Sequence, residues 1–534
     1  MVSETMKIEN TAVLLTSEGG AKMASQPTVH FEKGKVNVPH VSIFPERKKQ
    51  VIEGLGSSFT ESSAFVLAHL EPGQRHEVML NIYGERGANF SLARSPIGST
   101  DFCVEGCFSY ADSGSLDSFD ISVDKDGFDP AVYLGIKDPK FDLLPMIKDA
   151  LQIKSQQVDD AFKLIASAWT APPWMKDLGD WYVNGSSENN FSGTGGALKS
   201  GQEENYAAYL LKYIHAYQNE GVPIWAITPV NEPGGNNGQW ESMHFSAEGQ
   251  RDFIKNHLGP ALQNDKKLNT GLLAFDHNRN DLEYWSNVIF GDLDAASYVD
   301  GLAIHWYEST IAVSEDILNR IHDKFPQVSL IHTEGCIDDL GKDAPAGILD
   351  PVNFKESGWF DNDDFWWNCN ATDWAYTATW PGVVMEDHPM YSPVHRYARN
   401  IIVSLDNWLN GWVDWNIVLD RNGGPNHVGN FCGAPIMIDT ASGYVYYTPI
   451  FHILSQLSQT IRPGDRAVQT SLSLPDVSPD QIHVCATIST SNLLSVQILN
   501  TAKQPYLSAL VISDSFAKIE IEPNSLKTYR LQLS

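Results

Sequence analysis

At 534 residues, with 42% apolar and 11% aromatic content, the chain is too long for one small core and is expected to form two domains, one of them large. A net charge of −29 argues against nucleic acid or an anionic membrane surface as partner and favours a neutral or cationic ligand. The six cysteines (103, 107, 336, 369, 432 and 485) are scattered. Cys103 and Cys107 leave open a local disulfide or half of a metal site, but no further Cys/His pair follows at zinc spacing, so unpaired or structural thiols are expected.

The opening Met1-Val2-Ser3-Glu4-Thr5-Met6-Lys7 has no basic segment followed by an apolar core, so no secretory signal is expected. The compartment stays open between the cytoplasm and secretion with a signal removed. No apolar run approaches the ~20 residues of a membrane span. Residues 1–49 carry short alternating pieces, 11–15 and 35–38, which read as edge strands.

From about residue 50 the rhythm changes. Eight apolar runs recur, at 50–59, 88–96, 161–169, 223–230, 267–275, 299–307, 328–334 and 410–417. Helical periodicity lies between them, for example at 203–220, 247–263, 313–325 and 394–408. Strands alternating with helices across residues 50–445 predict an α/β fold, a (β/α)₈ TIM barrel. A doubly wound sheet would want a Gly-rich phosphate turn, and Gly54-Leu55-Gly56-Ser57-Ser58 does not complete that fingerprint. Across residues 446–534 the short runs 471–474, 482–488, 493–499, 507–511 and 528–533 read as strands of a β-sandwich, completed by the N-terminal segment.

The chemistry gathers at the strand ends. Ile224–Val230 is apolar and β-branched, and it stops at Asn231-Glu232-Pro233, because proline cannot donate to a ladder. Glu232 therefore stands at the carboxyl end of a buried strand, where β/α barrels place their active sites. Val328–Cys336 repeats the design with Glu334. Two such carboxylates make a candidate acid/base and nucleophile pair. The other strand ends hold Arg94 and Asp101, Trp169, Asp276-His277-Asn278, His305-Trp306-Tyr307 and Trp415.

Trp169-Thr170-Ala171-Pro172-Pro173-Trp174, Asn231-Glu232-Pro233, His305-Trp306-Tyr307, Glu334-Gly335-Cys336 and Trp412-Val413-Asp414-Trp415-Asn416 occur in the order seen in glycoside hydrolase family 30. Gly423-Gly424-Pro425-Asn426 resembles its glucosylceramidase branch. The resemblance implies a retaining β-glycosidase, needing no metal or cofactor, with Glu232 as acid/base and Glu334 as nucleophile. Asp101, Trp169, His305, Trp415 and Asn426 would then bind substrate. Asn231 is placed to bond a sugar 2-hydroxyl, with Arg94 and Tyr307 supporting the nucleophile. Proximity of the carboxyls is expected to leave Glu232 protonated and Glu334 ionised.

The expected substrate is a small glycoside or glycolipid with a terminal β-glucosyl group. An endo-β-1,6-glucanase or β-xylosidase of the same family, and a non-catalytic carbohydrate-binding barrel, are the alternatives; the oligomeric state is open. One segment, about 338–392, is longer than the branch shows and holds five of the 15 tryptophans (359, 366, 367, 374 and 380). It lies after the seventh strand, at the barrel mouth. Its indoles either pack the loop down or form an acceptor wall for the aglycone.

Overall fold

The computed structural model describes residues 7–183, 195–235, 240–309, 311–338, 359–368, 391–475, 477–478 and 480–534. Each of the eight apolar runs supplies one strand of a closed parallel barrel: β1 (Gly54–Ser58), β2 (Leu92–Ile97), β3 (Lys163–Ala168), β4 (Ala226–Thr228), β5 (Gly271–Asn278), β6 (Gly301–His305), β7 (Ser329–Glu334) and β8 (Leu409–Asn416). β8 pairs with β1 to close the ring. β1 and β2 approach so closely that a Cβ on Gly56 would lie 1.8 Å from the Leu92 carbonyl oxygen, so only glycine fits there. Inside the barrel Leu92, Ile165, Ala226, Leu273, Ala303, Ile331 and Val413 form one apolar layer, one residue from each of β2 to β8. The barrel is a packed core and not a pore.

The predicted helical segments cover the outside, among them Glu203–Asn219, Glu315–Lys324 and Pro393–Asp406. The 247–263 segment is helical but not uniform. Ala247–Phe253 passes through a π turn at Ile254–Leu258 before continuing as Gly259–Asn264, where Pro260 brings no N–H to the ladder.

The second domain is a ten-stranded sheet built from both ends of the chain. Ile8–Ser17 pairs antiparallel with Ser525–Leu533, and His40–Val51 lies between Arg466–Ser473 and Tyr506–Ile512. Val13, Val41, Val484, Leu510, Ile519 and Leu531, from strands far apart in that order, share one core. The sheet therefore curls over on itself, as wide twisted sheets do. Two expectations need correcting. Residues 35–38 are not a strand, and Ile8–Ser17, which contains 11–15, lies between Ala24–Ser25 and Ser525–Leu533 rather than at an edge. Ser515–Ile521 is a further strand, whose buried Ala517, Ile519 and Ile521 alternate with outward Phe516, Lys518 and Glu520.

The helix Pro449–Thr460 joins the two units. Its Gln456 accepts from Thr16 Oγ1 at 2.7 Å and donates to the Leu526 carbonyl at 3.1 Å and to Thr528 Oγ1 at 2.8 Å. After β8, Val418–Asp420, Ile436–Asp439 and Tyr444–Tyr447 form a small sheet. Within the 338–392 segment, Trp359 and Trp366 stack in parallel with ring centroids 6.2 Å apart. Their indoles fill the space over Gly423 and Gly433, where an added Cβ would lie 2.8 and 2.7 Å from the rings. Trp366 is 0% exposed, so its ring packs the loop and has no face to offer an aglycone. Trp367 is buried too, edge-on to His395. Trp374 and Trp380 lie outside the described residues.

Candidate active site

A polar layer follows from the apolar one by strand geometry, since residues two apart face the same side. Two steps beyond Leu92, Ile165, Ala226, Ala303, Ile331 and Val413 stand Arg94, Ser167, Thr228, His305, Thr333 and Trp415. β5 departs from the rule. Two steps beyond Leu273 is Phe275, but the β5–β6 register slips between Ala303 and Ile304, and Phe275 and Asp276 both have positive φ, 78° and 65°. This bulge turns Asp276 inward instead.

Asp276 is the hub of the layer. It accepts hydrogen bonds from Arg94 Nη2 (2.9 Å), Thr228 Oγ1 (2.8 Å), Thr333 Oγ1 (2.7 Å) and His305 Nε2 (2.9 Å). Burial alone would raise its proton affinity. The Arg94 and His305 charges outweigh burial and hold the carboxyl far below the usual carboxylate range. Arg94, fully buried, also donates to Glu334 Oε2 (2.5 Å), Asn231 Oδ1 (2.7 Å) and Ser167 Oγ (3.1 Å). Its guanidinium carbon lies 4.7 Å from the Trp169 ring centroid and 5.8 Å from that of Trp415.

The same bulge seats Glu232. Its backbone N–H donates to the Asp276 carbonyl at 2.9 Å, and its φ is +46°. Positive φ at three non-glycine residues, Phe275, Asp276 and Glu232, costs about 1–3 kcal/mol each, and the surrounding packing must hold it in place. Glu232 Oε1 meets His305 Nδ1 at 3.1 Å, which sets His305 between Glu232 and Asp276. Burial lowers the proton affinity of His305, but the charges of Glu334, Asp276 and Glu232 raise it to about 9. At neutral pH the ring therefore donates from both nitrogens. Tyr307 O–H donates to Glu334 Oε1 at 3.1 Å. A carboxyl oxygen of Glu232 and one of Glu334 lie within 4.8 Å of each other.

Glu232 stands close enough to Glu334 for its charge to be felt there. Burial raises the proton affinity of both. At Glu334 the charges of His305 and Arg94 oppose burial, those of Glu232 and Asp276 reinforce it, and the balance is upward. At Glu232 the His305 bond and the His277 charge turn the balance downward. By charge alone the odd proton would rest nearer Glu334, the reverse of the sequence expectation. The donors argue the other way. Both oxygens of Glu334 accept hydrogen bonds, one from a guanidinium that can only donate, which is the pattern of an anion. We place the negative charge on Glu334, with the remaining proton shared across the contact between Glu232 and His305.

A wall flanks this network. Trp169 and Trp415 stack with centroids 5.1 Å apart, and Phe102 meets Trp415 edge-on. Beside them Asp101 Oδ2 accepts from Asn426 Nδ2 (3.1 Å) and Asn430 Nδ2 (3.0 Å). Burial, with the charges of Glu241 and Glu334, pushes Asp101 up to about 7 against the Asn430 and Asn426 bonds.

The site thus gathers Arg94, Asn231, Glu232, His305, Tyr307 and Glu334 into one hydrogen-bonded network, with Trp169, Trp415, Asp101 and Asn426 around it. Sequence reasoning named Asp276 at a strand end without giving it a role, and left out Thr228, Thr333 and Asn430. Asp276 was visible as a strand-end acid, and Thr228 and Thr333 by the period of two. Asn430 had no signal beyond its nearness to Asn426. Trp412, by contrast, stacks on His332 at 3.5 Å with an interplanar angle of 2° and belongs to the packing behind the site.

Among the described residues no helix is long and apolar enough to cross a membrane. The chain is 30% identical to the lysosomal acid glucosylceramidase of Mus musculus over 80% of its own length and 71% of that protein's. It is 26% identical to the endo-1,6-beta-D-glucanase of Neurospora crassa over 79% of this chain and 72% of the other. Its fold is similar to the crystal structure of SrfJ from Salmonella typhimurium, with a TM-score of 0.76, 21% identity and 99% of each chain covered. The glycosyl hydrolase family 30 TIM-barrel domain matches residues 52–376 and 384–461, and the chain belongs to that family of glycoside hydrolases.

Proposed function

We propose that the chain hydrolyses a terminal β-glucosyl bond, in a glucosylceramide-like glycoside, by double displacement with retention. One observation carries the reading: the Glu232 and Glu334 oxygens lie within 4.8 Å. Retaining glycosidases hold their carboxyls roughly 5–5.5 Å apart, whereas inverting ones leave roughly 6.5–9.5 Å for a water. The curated relative at 30% identity, a glucosylceramidase, supports the glucosyl choice.

In the first step Glu334, aimed by Arg94 and Tyr307, attacks the anomeric carbon. Glu232 passes its proton to the departing oxygen and His305 is left neutral, so the proton shared between them is the one consumed. As Glu334 becomes an ester its charge disappears. Its repulsion no longer raises Glu232, which then serves as base for the incoming water. Arg94 and His305 fix Asp276 through all of this, so their dipoles need no reorganisation in the transition state. Asn231, its Oδ1 held by Arg94, presents its Nδ2 to the sugar 2-hydroxyl. Asp101, Asn426 and Asn430 take the hydroxyls further from the reacting carbon, and the Trp169–Trp415 stack backs the wall behind them.

A panel of aryl β-glucoside, aryl β-xyloside, glucosylceramide and β-1,6-glucan tests the substrate. Cleavage of the two glucosides with first-formed β-glucose is expected. Activity confined to the glucan or the xyloside, or first-formed α-sugar, would overturn the reading.

A further inference from the structure

A second cluster of ionisable side chains stands on the glucose side of the cleft, outside the reacting network. Cys107, Glu241 and His427 come from the segments that follow β2, β4 and β8. Cys107 Sγ lies 3.8 Å from His427 Nε2, and His427 Nε2 lies 3.5 Å from Glu241 Oε2. All three donor atoms fall within 4.8 Å of one another. A tetrahedral zinc ion bound at about 2.0–2.3 Å to S, N and O sets neighbouring donors roughly 3.3–3.6 Å apart. The His427–Glu241 separation of 3.5 Å falls in that range and the Cys107–His427 separation of 3.8 Å lies just outside it, a gap that small side-chain rotations close.

Glu241 is the second observation. Its side chain is 0% exposed and neither carboxyl oxygen makes a hydrogen bond of ordinary geometry. At 3.5 Å the histidine contact is too long to count as one. The His427 imidazole at 3.5 Å leaves lone pairs on both buried oxygens for a bound cation. Lys176 is close enough for its charge to be felt, yet its Nζ donates to the carbonyls of Trp181 (3.0 Å) and Ser242 (3.1 Å) instead. One thiol, one imidazole nitrogen and one carboxylate suit a borderline-soft ion, whereas Ca²⁺ and Mg²⁺ favour all-oxygen sets.

We propose that Cys107, Glu241 and His427 bind one divalent transition-metal ion, zinc above all, as a site separate from the Glu232/Glu334 pair. Binding breaks the Cys107 S–H bond and forms an S–metal bond, His427 Nε2 binds only in its unprotonated form, and the displaced protons go to solvent. The ion ties the segments that carry Asp101 and Asn426 to each other and to the one that follows β4. It also neutralises Glu241, whose charge raises the proton affinity of Asp101. The site is therefore a brace for the sugar-binding wall and takes no part in bond cleavage.

The test uses the full chain stripped of metal with a chelator and titrated with Co²⁺ and then Zn²⁺. Calorimetry in two buffers reads stoichiometry and proton release, and absorbance reads thiolate-to-cobalt charge transfer. One ion per chain, at least one proton released, and a charge-transfer band that Zn²⁺ displaces are expected. Cys107→Ser should remove the band. Glu241→Gln and His427→Gln should each weaken binding at least about tenfold, as losses around metal sites do. Glu241→Gln should leave the metal-free fold intact, because glutamine keeps the shape of the side chain without its buried charge. No saturable binding in the wild type, or equal binding in all three variants, would overturn the proposal. Neither readout depends on turnover, so the substrate reading stands or falls separately.

Discussion

Asp276 and Asp101 are both carboxylates buried at the same end of one barrel, and their charges fare oppositely. Asp276 has four side-chain donors, two of them cationic, and is held ionised. Asp101 has two neutral amides, with Glu241 and Glu334 as like-charged neighbours, and burial lifts it to about 7. Burial sets the same penalty on each, and partners decide the outcome. The fully paired cluster can hold a nucleophile rigidly. The underpaired one keeps acceptor capacity for something that arrives, a sugar hydroxyl or a cation.

The largest effects should come from the paired cluster. Glu334→Ala is expected to lower kcat by on the order of 10⁴-fold or more, with azide restoring turnover to an inverted product. Glu232→Ala should cost about 10²–10⁴-fold on poor leaving groups but spare the first step on activated aryl glycosides. Equal losses on both kinds of substrate in both variants would erase the distinction between the two glutamates.

Substitutions that remove charge should have opposite signs in the two regions. Asp276→Asn strips the counter-charge from buried Arg94 and His305 and should cost about 3–5 kcal/mol in denaturant unfolding. Asp101 is an acid raised from 3.8 to about 7, so its ionised form costs stability increasingly as pH rises across that window. At neutral pH Asp101→Asn should therefore stabilise the fold, by at most about 4 kcal/mol before the weaker bonds to Asn426 and Asn430 are counted. The same variant should lose glycosidase activity, exchanging function for stability. Destabilisation by both changes would break the comparison.

His305 gives the smallest of the charge effects. A base whose proton affinity rises on folding contributes stability that is complete below its unfolded value and lost as pH passes its folded one. His305 moves from 6.5 to about 9, so about 3 kcal/mol should be present below pH 6.5 and fade by pH 9. The thermal midpoint of the wild type should fall across that window, and His305→Asn should flatten the fall. Parallel curves would show that His305 is not the group responsible.

The barrel was legible because eight apolar runs alternate with helical stretches, and each run closed into a strand. Glu232 and Glu334 were legible because a polar residue ending a buried strand must face the mouth. Asp276 shows where this stops. Strict alternation from Leu273 points Phe275 inward, and only a bulge with two positive φ angles exchanges the two. Nothing local in Ala274-Phe275-Asp276-His277 announces that bulge. The Cys107, Glu241 and His427 cluster was hidden for a different reason. Its members come from three separate loops, so no linear spacing connects them. Trp366 was ambiguous until its ring was seen filling the space over Gly433. Residues 35–38 misled because they alternate like a strand but precede Pro39, after which His40–Val51 begins the real one.

The central claim, that Glu334 is the nucleophile of a retaining mechanism, is tested most directly by trapping. A 2-deoxy-2-fluoro β-glucoside with a good leaving group slows both steps, and the leaving group speeds the first, so a glycosyl ester accumulates. After proteolysis, mass spectrometry should find the fluorosugar on the peptide containing His332-Thr333-Glu334-Gly335, attached at Glu334. A label on Glu232, Asp276 or Asp101, or complete turnover with no covalent adduct, would contradict the account.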